Sequence, residues 1–64
     1  MKREELIKFR KKKGYTQKTM ANMWNISISF YKQIEAGLKN PSLKKMKEFK
    51  NIFPTTNIMK FFLK

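Results

Sequence analysis

The residues best placed to do chemistry in this chain lie between Ile28 and Ala36, where ISFYKQIEA reads as a short helix. At about 100° per residue, Phe30, Tyr31 and Ile34 share an arc of roughly 100°, the usual width of a core-facing stripe. Ile28, Ser29, Lys32, Gln33 and Ala36 fill the opposite side. That side carries one positive charge, one carboxamide, one hydroxyl and two small or aliphatic groups, and it has no acid. A helix face kept only for solubility usually mixes Glu with Lys. The chemistry offered here is recognition: a cation to attract a polyanion, and an amide, a hydroxyl and an apolar group to read a local pattern on it. Two plainer readings stay open, Ser29 as an ordinary exposed helix residue and Ile28 as an incidental surface apolar one.

The elements that position this face are legible in the stretch around it, TQKTMANMWNISISFYKQIE (residues 16–35). Thr16 and Ser27 each suit a helix start, where a side-chain oxygen accepts one of the orphan backbone N–H groups. Apolar pairs at the staple positions flank both, Tyr15 with Met20 and Ile26 with Tyr31. Between the two helices stands Asn25, one of the few non-glycine residues that tolerates the left-handed conformation of a sharp turn. The pattern is two short helices joined by a tight turn.

Composition bounds what such a pair can belong to. Sixty-four residues make one domain, with core stability of about 3–5 kcal/mol. The chain has no cysteine and no histidine, so it offers no disulfide framework, no thiolate metal site and no imidazole base. With four acids and no phosphate loop, an enzyme has almost no support; no cofactor, metal or small-molecule ligand is expected. The net charge is +12, from 16 basic and 4 acidic residues, and the pI is near 10.3. That balance points to nucleic acid first and an anionic membrane surface second. No stretch approaches the roughly 20 apolar residues of a membrane span, and MKREELIKFRKKK lacks the apolar core of a signal peptide. A cytoplasmic location is expected, so the sequon Asn25-Ile26-Ser27 is read as a chance match.

Along the chain, residues of about 2–13 form an amphipathic helix with Leu6, Ile7 and Phe9 as core positions. Glu4 and Glu5 stand in its first turn and Arg10 to Lys13 in its last, an order that suits the helix dipole. The basic run therefore has a structural explanation beside a polyanion-binding one. Gly14 is the expected stop. The two central helices span about 17–24 and 28–36, and Gly37 closes the second. After a basic loop, Leu38-Lys39-Asn40, Pro41 is placed in a first helical turn. Leu43, Met46, Phe49, Ile52 and Phe53 recur at spacings of three and four, which predicts a fourth helix over about 42–53, ended by Pro54. A fifth, about 56–63, takes Thr55 or Thr56 as its cap. Five helices with no strand pattern predict an all-α fold.

An ordered set of residues now matches a known family: Arg10, Gly14, Thr16-Gln17, Ala21, Ile26-Ser27, Ile34-Glu35, Gly37 and Asn40-Pro41-Ser42. Over about residues 3–53 the chain resembles the Cro/C1-type (XRE) helix-turn-helix regulators of phages and bacteria. The resemblance implies a compact five-helix lambda-repressor-like DNA-binding domain, with helices 2 and 3 as the helix-turn-helix. It implies a largely buried ion pair between Arg10 and Glu35, and the helical wheel independently places Glu35 at the edge of the apolar arc. Carried over position by position, it assigns base reading in the major groove to Ile28, Ser29 and Gln33, with Lys32 beside them. Gln33 fits adenine N6 and N7, and Ile28 fits a thymine methyl. Phosphate contacts fall to Gln17, Ser27, Lys39 and Asn40.

The chain also departs from the family. Asn25 replaces the usual turn glycine, Thr19 stands where a capping-box acid is common, and Leu38 where a basic residue often is. The reading face has no arginine, so strong guanine recognition is not expected and the operator should lean to A·T. The apolar tail of Ile58, Met59, Phe61, Phe62 and Leu63 has two readings: packing on this domain's own core, or a homodimer interface through Ile58, Phe61 and Phe62. The expected function is a transcriptional regulator, a repressor on a palindromic operator in double-stranded DNA. Its rivals are a DNA-binding antitoxin or restriction-modification controller, and a non-specific basic amphipathic binder of nucleic acid or membranes.

Overall fold

Helix α1 (Glu4–Lys12) begins with two glutamates and ends with Arg10, Lys11 and Lys12, each charge opposing the helix pole beside it. In this computed structural model, which describes residues 2–62, it is followed by α2 (Gln17–Trp24), α3 (Ile28–Glu35), α4 (Leu43–Ile52) and α5 (Ile58–Phe62). The fold is all-α, with five helices and no strand among the described residues. None of these helices is long and apolar enough to cross a membrane.

The helix ends show why the boundaries fall where they do. Arg3 is not helical (φ −85°, ψ 80°), because its backbone N–H is drawn to Glu35 O at 2.8 Å, so α1 starts at Glu4 rather than near residue 2. Gly14 (φ +76°) closes α1 and Gly37 (φ +79°) closes α3, each in the left-handed conformation. At both ends the two N–H groups that follow return to carbonyls of the last turn: Gly14 to Lys11 and Tyr15 to Arg10, Gly37 to Ile34 and Leu38 to Gln33. Pro41 precedes α4 instead of entering it. Ser42 is the cap, its Oγ accepting from Lys45 N at 3.2 Å. Phe53 leaves the helical conformation (φ −125°, ψ 76°) before Pro54, whose ring disfavours helical geometry in the residue preceding it, and ends the helix.

The cap of α5 is a correction. Neither Thr55 nor Thr56 serves; Asn57 Oδ1 accepts from Lys60 N at 3.2 Å. Thr56 is buried, with its Oγ1 donating to Phe53 O at 2.7 Å, so α5 starts at Ile58. Leu63 lies outside the described residues.

The core joins Leu6, Met20, Ala21, Trp24, Tyr31, Ile34, Met46, Phe49, Phe53, Phe61 and Phe62, with Phe9 and Phe30 packed against its margin. Phe49 is its hub: Trp24 and Phe53 have ring centroids 4.9 Å away and Phe62 5.2 Å. Ala21 is fully buried on the helix that packs against α3, where its small side chain lets the backbones approach. Leu43 departs from its helical spacing, since it stands in the first turn of α4 and is 66% exposed.

Phe61 and Phe62, the centre of the candidate dimer interface, are only 8% and 5% exposed within a single chain. Their rings are committed to Phe9, Phe49 and Trp24, so of the two readings of the tail they take the intramolecular one. Ile58 is half-buried and Met59 remains 68% exposed.

Gly14 gives a test of the backbone argument. A Cβ there would meet nothing within 4 Å, so only the positive φ resists a side chain. Gly14→Ala should cost about 1 kcal/mol and lower the melting temperature by roughly 4–8 °C. Gly14→Asn should cost less. A neutral alanine would remove the left-handed constraint as the reason for glycine.

Candidate nucleic-acid interface

Local capping sets the angle between α2 and α3. Thr16 Oγ1 accepts from Thr19 N at 3.0 Å and shares a 2.9 Å hydrogen bond with the Thr19 hydroxyl. Thr19 thus supports the cap through its hydroxyl where an acid would reach the backbone. At the other end of α2, Asn25 is left-handed (φ 60°, ψ 45°) and Ile26 N returns to Ala21 O at 3.0 Å. The Lys45 ammonium sits 3.4 Å from both Trp24 O and Asn25 O, adding a cation to the negative pole of α2. Ser27 Oγ then accepts from Phe30 N at 3.1 Å and starts α3.

At the end of the α2–α3 pair away from the turn, where α2 starts and α3 finishes, lies a polar cluster around Glu35, which is 4% exposed. Arg10 Nε donates to its Oε2 at 2.6 Å and Nη2 to its Oε1 at 3.4 Å, while Arg10 Nη1 holds Tyr15 O at 2.9 Å. Two further donors converge on the same carboxylate, the Tyr31 hydroxyl at 2.6 Å and Gln17 Nε2 at 3.1 Å. Burial pushes the Glu35 carboxyl up, but the hydrogen bonds from Arg10, Tyr31 and Gln17 outweigh it and hold the group below its ordinary value. Burial, reinforced by the bond to Glu35, pushes the Tyr31 hydroxyl up. The hydrogen bond to Glu35 raises Arg10.

These directions fix a pH dependence. A carboxyl depressed by folding adds stability above its unfolded value, and that stability is lost as pH falls through the folded one. Acid unfolding should therefore set in as pH drops below about 4.5, the ordinary Glu35 value. Tyr31 acts in the opposite sense. Its raised hydroxyl adds stability below pH 10, lost as pH climbs above it. Denaturant melts across pH should show both flanks, and Tyr31→Phe should abolish the tyrosine part of the alkaline one. A curve flat from pH 5 to pH 2 would contradict the depressed carboxylate.

Around this base the expected contact residues take distinct positions. Ser27, Ile28, Ser29 and Lys32 are exposed along α3, with Ile28 41% open to solvent. Gln33 and Ala36 are half-buried at the edge of that face. Lys39 and Asn40 are exposed in the loop after α3. Gln17 is half-buried at the start of α2 and commits an amide hydrogen to Glu35, which leaves its second amide hydrogen and its backbone N–H for any phosphate.

A cleft of about 270 Å³ opens where α1, α2 and α3 meet, lined by Lys2, Ile7, Arg10, Lys11, Gln17, Lys32, Glu35 and Ala36. It brings four cations around one buried carboxylate. In sequence, nothing distinguishes Lys2 from the chain's other basic residues, and Lys11 stands out only as part of the basic run that ends α1. Sequence reasoning also misses the polar roles of Tyr31 and Trp24. The indole of Trp24 donates to Lys45 O at 2.8 Å and ties α2 to α4. Its spacing of four from Met20, on the buried side of α2, is the available signal.

A family model described as helix-turn-helix matches residues 6–56 of the 64. No curated protein and no solved structure matches the chain.

Proposed function

The chain belongs to the Cro/C1-type helix-turn-helix family of DNA-binding regulators, and on that premise we propose that it is a repressor that binds a palindromic operator as a homodimer. The observation that carries this reading is the exposed, acid-free face of α3, held by capped ends against α2. Laid in a major groove, it offers Ser29, Lys32 and Gln33 to base edges and Ile28 to a thymine methyl. Gln17 and Ser27 at the two helix starts, with Lys39 and Asn40 in the loop, flank it for the phosphates. Repression then needs only occupancy, since a bound domain denies its site to other proteins.

With Phe61 and Phe62 inside the core, we place the second copy on the apolar groove between α4 and α5, where Leu43, Ile58 and Met59 lie together. Two chains of +12 repel each other in free solution. Pairing is therefore expected on DNA, where phosphates neutralise the charge. Met59→Glu should leave the fold intact and remove cooperative binding to paired half-sites. Retained cooperativity would place the dimer contact elsewhere.

Selection of bound sites from random DNA at about 150 mM salt tests the whole reading. The expected product is a two-fold sequence with half-site centres about 10–10.5 bp apart. An unenriched pool, together with binding to anionic vesicles, would make the protein a non-specific polyanion binder.

A further inference from the structure

The Arg3 side chain takes no part in the Glu35 cluster, yet it makes the widest set of hydrogen bonds in the molecule among the described residues. Its Nε donates to Ile34 O at 2.9 Å, in the last turn of α3. Its Nη1 donates to Phe61 O and Phe62 O at 3.2 and 3.3 Å, the terminal carbonyls of α5. Its Nη2 donates to Lys39 O at 3.3 Å and to Asn40 Oδ1. The guanidinium carbon also stands 5.6 Å from the centre of the Phe62 ring. A guanidinium has five N–H groups in a fixed fork, and here five acceptors on three separate segments meet it. None is left over for a phosphate.

We propose that Arg3 is a positioning residue for DNA binding: it fixes the Lys39–Asn40 loop against the ends of α3 and α5, so that the loop meets the DNA backbone in one geometry. The proposal rests on the DNA-binding reading of that loop. Asn40 is exposed, and among the described residues its side-chain oxygen has no partner besides Arg3 to orient it. The amides of Leu38 and Lys39 both return to Gln33 O, so the fixed loop also bears on Gln33 at the edge of the reading face. Because the same fork holds Phe61 O and Phe62 O, the position of α5 is coupled to the DNA grip.

The test compares Arg3→Ala and Arg3→Lys in the full chain, each with and without Asn40→Ala, at a temperature where every variant is folded. Three quantities are read: DNA affinity, melting temperature and amide exchange at Leu38 and Lys39. Lysine keeps the charge but has one nitrogen, which cannot span the three segments. Both Arg3 variants should bind about tenfold more weakly and exchange these amides faster, and Asn40→Ala should then add almost nothing. An Arg3→Lys variant that binds like the wild type overturns the proposal, because charge alone would suffice. Unchanged binding beside a lowered melting temperature overturns it too, leaving Arg3 a purely structural tie. A wild type that binds no DNA at all would instead sink the DNA reading, and faster exchange in the variants would still uphold Arg3's hold on the loop.

Discussion

Glu35→Ala should cost about 3–5 kcal/mol, which is as much stability as a core this small supplies, so most of the variant should be unfolded without any DNA present. The expectation follows from what alanine leaves behind. Arg10 would keep its charge in a site where its side chain is only 12% exposed, and the Tyr31 hydroxyl and Gln17 amide would lose their acceptor in the same step. The two other ion pairs among the described residues give the scale. Lys45–Glu48 at 3.0 Å and Lys60–Glu5 at 3.5 Å lie at the surface, where salt and solvent screen them. Glu48→Ala and Glu5→Ala should each cost about 1 kcal/mol or less. Glu35→Gln, which keeps the shape and accepts hydrogen bonds without the charge, should fall between. A circular-dichroism melt of Glu35→Ala that overlays the wild type would show that the cluster does not hold the fold.

How far this cluster can be read from sequence depends on what each bond requires. Arg10 and Glu35 are legible through the resemblance and through the wheel, which sets Glu35 beside the apolar arc. Tyr31 also lies on that arc, but the wheel gives direction and not depth, so its hydroxyl reaching the same carboxylate is not visible there. Gln17 is legible as a helix-start residue, and its bond to Glu35 depends on the packing of α2 against α3. Arg3 is hidden for a different reason. It is one of only two arginines among the 16 basic residues, but its type does not name its partners, and four of its five acceptors are backbone carbonyls, which have no sequence signature. The start of α5 escapes sequence reasoning because Thr55, Thr56 and Asn57 all suit a cap, and only the burial of Thr56 decides among them.

The largest effect expected in solution is on DNA affinity. With about 6–10 phosphates neutralised by a bound protein, raising salt from about 50 to 200 mM should weaken binding by a factor of about 10³ to 10⁵. Two variants should divide that affinity into its parts. Lys39 is exposed in the loop and carries charge alone, so Lys39→Ala should weaken operator and random DNA about equally and reduce the log–log salt slope by about 0.9 for each phosphate it no longer neutralises. Gln33 is uncharged and sits at the edge of the exposed α3 face, so Gln33→Ala should leave the slope alone. Its cost should be about 1–3 kcal/mol on the operator, confined to one base pair, and little on random DNA. With no arginine on that face, the base pair concerned should be A·T, and exchanging it for G·C should reproduce the loss without any mutation of the protein. Parallel losses on operator and random DNA for both variants would mean that α3 touches the backbone only. The charge of this chain would then account for its binding, and the proposed repressor would have no sequence to recognise.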